Sequence, residues 1–161
     1  MARQVGGIDL VSAAERGNGR LIAMAPRRFT LAEAREMIPQ IERLVTTIAE
    51  RKEQIMQTRA LIEAVRRSAG ADGSTIDSDT AELERRARTL TAQIRELARE
   101  LQGTGVRVKD IDRGLVDWTA MHEGHEVYLC WQRGEPTVEW WHEIADGYAG
   151  RQRIEVGEWA E

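Results

Sequence analysis

The sequence predicts an α+β fold: a long antiparallel, coiled-coil-like helical hairpin followed by a small C-terminal antiparallel β-sheet. Two observations carry that expectation. Isoleucines recur every seven residues, at Ile41, Ile48, Ile55 and Ile62, in a stretch that is otherwise heavily charged. After Gly105 the apolar period falls to two, and β-branched and aromatic residues take over. A period of seven winds one helix against another, whereas a period of two gives a strand one dry face.

Composition narrows the setting. Of 161 residues, 31% are charged and only 5% aromatic, which suits long solvated helices better than one large core. A single cysteine cannot form an internal disulfide, so a reducing, cytoplasmic location is expected. No apolar run approaches the roughly 20 residues that cross a bilayer, and residues 1–28 lack the compact apolar block of a secretory leader, so no membrane partner is expected. Charge is uneven: residues 1–28 carry +3 and residues 103–161 carry −6. Nucleic-acid binding needs a basic face, and the only basic stretch is the short arm with Arg16, Arg20, Arg27 and Arg28. DNA and RNA are therefore excluded as expected partners.

Four segments follow in order. Residues 1–28, with Gly6, Gly7, Gly17, Gly19 and Pro26 and no sustained period, read as a disordered arm. Residues 29–102 read as the hairpin. Thr30 and Glu33 have the spacing of a capping box, with Phe29 placed to staple against Ala34. Pro39 removes a donor inside this helix and should kink or split it. Leu44 and Val65 flank the isoleucine stripe, and 68–74 is a turn-forming cluster. A second helix is expected from about Asp79, with the stripe Leu83, Ala87, Leu90, Ile94, Leu97 and Leu101, supporting pairs Glu82–Arg86 and Glu84–Arg88, and a stop at Gly103 and Gly105. Two helices cannot enclose a core alone. Either the hairpin pairs with a second copy as a homodimeric four-helix bundle, which is the expectation here, or it leans on the C-terminal part.

Residues 103–153 read as the sheet and 154–161 as a tail. Strands are expected at Val106–Lys109, Leu115–Trp118, Glu126–Gln132 and Thr137–Glu143. Met121 to His125 reads as a loop. Pro136 has no N–H to close a two-residue turn, and a four-residue loop over 133–136 gives the same pairing: Trp131 opposite Val138, Leu129 opposite Trp140, Val127 opposite His142. One face would then hold Val127, Leu129, Trp131, Val138, Trp140 and His142 as core. The other would hold Glu126, Tyr128, Cys130, Gln132, Glu139, Trp141 and Glu143. Only a three-residue loop would move His142 to the Cys130 face.

The series Thr-Leu-Ala-Glu-Ala at 30–34, Val-Lys-Asp at 108–110, Gly-Leu-Val-Asp-Trp at 114–118, Glu-Val-Tyr-Leu-Cys-Trp at 126–131, Trp-His at 141–142 and Gly-Tyr-Ala-Gly-Arg at 147–151 resembles a small bacterial and archaeal family catalogued as a domain of unknown function. The resemblance covers about residues 29–152. That family usually has Phe where Trp118 stands, and often Phe in place of Tyr148. It implies the architecture and assigns no catalytic residues.

The stretch from Gly114 to Arg151 gathers four of five Trp, both Tyr, the only Cys and all three His. His142, Glu143 and Asp117 are the candidate acid–base groups. His142, Cys130 and His125 are the candidate ligands for a divalent metal, although no standard zinc spacing is present. Against a metal, the expected register sends His142 and Cys130 to opposite faces, and Cys130 by itself reads better as a small buried hydrophobe. No serine stands in a nucleophile elbow. Trp141 and Tyr128 are candidate partner contacts. Arg151 either pins its loop to Asp117, Glu135 or Asp146, or anchors an anionic ligand. The resulting reading is a non-enzymatic, cofactor-free protein that self-associates through the hairpin and presents its sheet to a protein partner. The alternative is a metal-binding or enzymatic module centred on His142, Glu143 and Asp117.

Overall fold

Thr30 starts the first helix as its spacing predicts. Its hydroxyl accepts from the Glu33 amide (3.1 Å) while the Glu33 carboxylate accepts from the Thr30 amide (2.8 Å), so two free amides of the first turn are satisfied reciprocally. A computed structural model of the chain describes residues 27–68, 74–155, 157 and 159. The expected arm up to residue 26, the turn over 69–73 and most of the tail lie outside the described residues.

Helix α1 spans Leu31–Ser68 and α2 spans Ser74–Gly103. The two pack against each other along their lengths. Ile41, Leu44, Val45, Ile48, Ile55 and Ile62 of α1 are buried, as are Leu90, Ile94 and Leu101 of α2. Thr58 interrupts the apolar seam without cost to it, because its hydroxyl donates to the Gln54 carbonyl at 2.7 Å. Pro39 does not split α1, which continues through it. It lies on the exposed side of the helix, where water can satisfy the carbonyl that loses its partner. The second helix starts five residues before Asp79, which lies inside it. The expected supporting pairs are also redirected: Glu82 pairs with Arg85, and Glu84 reaches across to Arg66 of α1 at 3.0 Å.

Beyond the hairpin, five strands form an antiparallel meander in chain order: β1 Arg107–Asp110, β2 Leu115–His122, β3 His125–Gln132, β4 Trp140–Glu143 and β5 Gln152–Arg153. The expected loop over 121–125 is a two-residue turn. Glu123 and Gly124 both have positive φ (48° and 84°), the geometry that matches strand twist, so β2 and β3 run up to it and His122 pairs with His125.

The β3–β4 register differs from the expected one by a single residue. Cys130 lies opposite Trp140, Leu129 opposite Trp141, Tyr128 opposite His142 and Val127 opposite Glu143. No tight turn joins these strands; residues 133–139 form a wide connection. Within it the Trp131 indole donates to the Glu135 carbonyl (2.9 Å), the Gln132 amide donates to the Glu135 carboxylate (2.8 Å), and Arg35 of α1 donates twice to the Val138 carbonyl (3.1 and 3.2 Å). Arg35 engages the Val138 carbonyl and the Ile154 amide donates to the Glu139 carbonyl at 2.9 Å, so neither residue joins the β3 ladder. Every side chain of β4 therefore faces opposite to the expectation.

The hairpin leans on the sheet. Val116, Trp118, Ala120, Val127, Leu129 and Trp131 form one core with Phe29, Ala34, Ile41, Val45 and Ile48 of the helical part. Phe29 also donates its amide to the Thr119 carbonyl at 2.8 Å, tying the start of α1 to β2. No helix among the described residues is long and apolar enough to cross a membrane. Thr30→Ala removes one half of the cap and should lower unfolding stability by about 1 kcal/mol in urea titration, with the denaturant slope unchanged.

Candidate metal centre

The side of the sheet turned away from the helices is where the shifted register acts. Row by row, Asp117 on β2, Cys130 on β3 and Trp140 on β4 share that side, followed by Thr119, Tyr128 and His142. Side chains on an uncovered sheet face are ordinarily wet. Here Asp117, Cys130 and His142 are each 1% exposed. One carboxylate oxygen, the thiol sulfur and one imidazole nitrogen lie within 4.8 Å of one another.

The hydrogen bonding of His142 fixes its chemistry. Nδ1 lies 2.8 Å from the Glu143 carbonyl, which can only accept, so Nδ1 carries the proton. In the neutral ring the lone pair is then on Nε2, which faces Asp117 Oδ2 at 3.4 Å. No nitrogen or hydroxyl donor reaches either oxygen of Asp117 in hydrogen-bond geometry; the Cys130 thiol is the donor turned to it, and Lys109 Nζ stands 4.0 Å away. Burial pushes the Asp117 carboxyl above its ordinary range; the neighbouring thiol and the charges of His142 and Lys109 pull it only partly back. Burial, and then the Asp117 charge, push the Cys130 thiol far up. A protonated thiol, with the imidazole lone pair aimed at a carboxylate, is not an activated nucleophile.

Tyr128 meets His142 edge-on at 5.6 Å between ring centres. Arg107 and Lys109 lie over the outer face of Tyr128 at 5.4 and 5.7 Å. On the opposite flank, the segment after β4 folds down as a clamp. Arg151 is held between the rings of Trp140 (4.8 Å) and Tyr148 (4.7 Å) and pairs with Glu135. Gly150 makes the clamp feasible: a Cβ there would lie 2.4 Å from that of Asp146. Of the three expected carboxylate partners for Arg151, Glu135 is the one engaged. A shallow pocket of about 330 Å³ is lined by Glu135, Trp140, Tyr148 and Arg151.

The remaining candidates fall elsewhere. Glu143 projects to the helix side and binds His125 Nε2 at 3.0 Å; it meets the cluster only through its backbone carbonyl. His125 is exposed at the tip of the β2–β3 turn, away from Cys130 and His142. Trp141 is on the helix side, half-buried, against His122 at 4.8 Å and Trp159 at 6.0 Å. Trp140, expected in the core, takes the outer position that Trp141 was expected to hold. Thr119 and Lys109 were not singled out from the sequence. The strand alternation that places Thr119 beside Asp117 was available there; the reach of Lys109 was not.

Fold and site together define the class: a helical hairpin bearing a five-stranded meander whose outer face buries a mixed O, S, N cluster. Residues 27–154 match the family model described as an uncharacterized conserved protein (DUF2203), and the chain belongs to that family. No curated protein and no solved structure matches the chain at a significant level.

The His125–Glu143 pair gives a pH prediction. Its hydrogen bond, followed by the Glu143 charge, raises the His125 pKa above the ordinary 6.5. The pair's contribution is full below 6.5 and is lost as pH rises through the higher folded value. In Glu143→Gln the ring should titrate back near the ordinary value, as followed by NMR.

Proposed function

We propose that this protein binds a divalent transition metal, zinc in the first instance, through Asp117, Cys130 and His142. The observation that carries this reading is the orientation of His142. Its Nδ1–H is anchored on a backbone carbonyl and its bare Nε2 is turned toward a thiol and a buried carboxylate that no amide or hydroxyl serves. Metal-binding histidines are generally held by such an outer hydrogen bond, which sets the tautomer and aims the other nitrogen.

The donor set suits zinc or cobalt(II): one imidazole, one thiolate and one carboxylate, with a fourth position left for water or a ligand. Bond lengths of 2.0–2.3 Å place ligand atoms of a tetrahedral ion roughly 3.3–3.8 Å apart. Closing from the present 4.8 Å limit takes about 1 Å of side-chain adjustment. Coordination would also deprotonate the thiol, which burial and the Asp117 charge hold protonated.

Support for self-association through the hairpin is thinner. The isoleucine seam is covered within the chain by α2 and the sheet, and the exposed Met56 and Leu61, five residues apart, sit on different sides of α1. A homodimer through this surface should give twice the monomer mass by light scattering, and Leu61→Asp should return it to monomer.

For the metal reading, full-length protein purified without chelator should carry close to one metal ion per chain by elemental analysis. Chelator should lower its melting temperature, and Cys130→Ser and His142→Ala should each lose the ion. A metal-free preparation that takes up no zinc on titration, with stability unchanged by chelator, would overturn the proposal.

A further inference from the structure

The three donors come from neighbouring central strands and all rise from the sheet on the side away from the helices. An ion held by them would lie on the side of the sheet away from the apolar core, where a further ligand would approach past Tyr128, Arg107 and Lys109. The groups waiting there are unusual for this segment, which is acidic in sum. Arg107 pairs with Asp117 in the β1–β2 register, and Lys109 sits at the irregularity of β1 with its ammonium turned to the same carboxylate. Both are held over Tyr128, whose ring gives them a shared platform. Among the described residues Arg107 makes no ion pair, and Lys109 has only Asp117.

Charge then decides what kind of ligand fits. Two positive charges on the ion are balanced by the Asp117 carboxylate and the Cys130 thiolate, and His142 adds none. Once Asp117 is bound to metal, Lys109 loses its only counter-charge. Arg107 and Lys109 would then be two exposed cations with no acid paired to them, beside the coordination position that the three donors leave unfilled. Other acids near this face are already engaged: Glu126 with Arg28, and Glu135 with Arg151. A neutral water would leave that positive field unanswered.

We infer that the open position takes a small oxyanion, a phosphate or carboxylate group, with one oxygen on the metal and others on Lys109 and Arg107. This rests on the metal reading above and specifies the ligand class of the same site. Arg107 and Lys109 are both exposed, so their replacement leaves the buried donors in place.

The test uses full-length protein loaded with cobalt(II), whose visible spectrum reports both thiolate coordination and the occupant of the fourth position. Inorganic phosphate and acetate are titrated separately, so that preference between the two oxyanions is read directly. At least one should shift the ligand-field bands saturably, and Lys109→Ala and Arg107→Ala should each raise its half-saturation about tenfold with cobalt stoichiometry unchanged, as expected for losing one charge-assisted hydrogen bond. A thiolate–cobalt band that ignores both anions, or responds equally in both variants, would sink the oxyanion proposal and leave the metal site standing. Absence of any thiolate–cobalt band in the wild-type protein removes the metal site itself and this inference with it.

Discussion

A strand has two faces, and a shift of one residue in its pairing exchanges them. The connection between β3 and β4 makes that choice for this protein. Three groups must be satisfied in it: the indole N–H of Trp131, the amide of Gln132 at the end of its strand, and the carbonyl of Val138. Glu135 serves the first two through its carbonyl and its carboxylate, and the same carboxylate holds Arg151. Arg35 serves the third. With these bonds made, β4 begins at Trp140, and His142 can only enter the face that carries Asp117 and Cys130. The opposite register would bury Trp140 and His142 against the helices and leave Asp117 beneath a glutamate and an indole.

The hairpin and the sheet are thus coupled through more than apolar contact. Phe29 ties the first turn of α1 to β2 by its amide, and Arg35 ties the second turn to the β3–β4 connection. Ile41, Val45 and Ile48 then share one core with Trp118 and Trp131. The N-terminal part of α1 acts as the floor of the sheet, while the part carrying Ile55 and Ile62 is buried against α2. One seven-residue repeat therefore serves two different partners along its length.

Features set by neighbours in the chain were legible in the sequence. The Thr30–Glu33 cap, the isoleucine stripe and the strand character of β3 each depend on residues within a few positions, and each is as expected. Pro39 was read too strongly, because its cost depends on which side of the helix it faces. The Glu123–Gly124 turn carried a local signal, a glycine between alternating residues, which the polar histidines on either side obscured. The β4 register could not be read in the same way. It is decided by Arg35, about a hundred residues earlier, and by the length of a connection that Pro136 only hints should avoid a tight turn. That single error separated His142 from Cys130 and made the metal alternative look worse than the folded arrangement does. The site's members were named from the sequence, all but their meeting.

What remains is why a sheet should bury Asp117, Cys130 and His142 together. An unpartnered buried carboxylate costs at least about 1–3 kcal/mol, and more if charged. Without a metal, the Cys130 thiol and the Lys109 ammonium offset part of that cost, and two changes of protonation could reduce it further. A protonated Asp117 could donate to His142 Nε2, but 3.4 Å is long for such a bond, and the second oxygen would stay without a partner. A doubly protonated His142 could form an ion pair, at the price of desolvating two charges, again with one oxygen unanswered. The proposed four-coordinate divalent ion would meet the imidazole lone pair, the thiolate and the carboxylate at once. It would also make use of the proton on Nδ1, since that proton is what leaves Nε2 free to bind. Hydrophobic residues of similar size would fill these three positions with less penalty, so stability alone gives no reason for this choice of side chains. Ligation does.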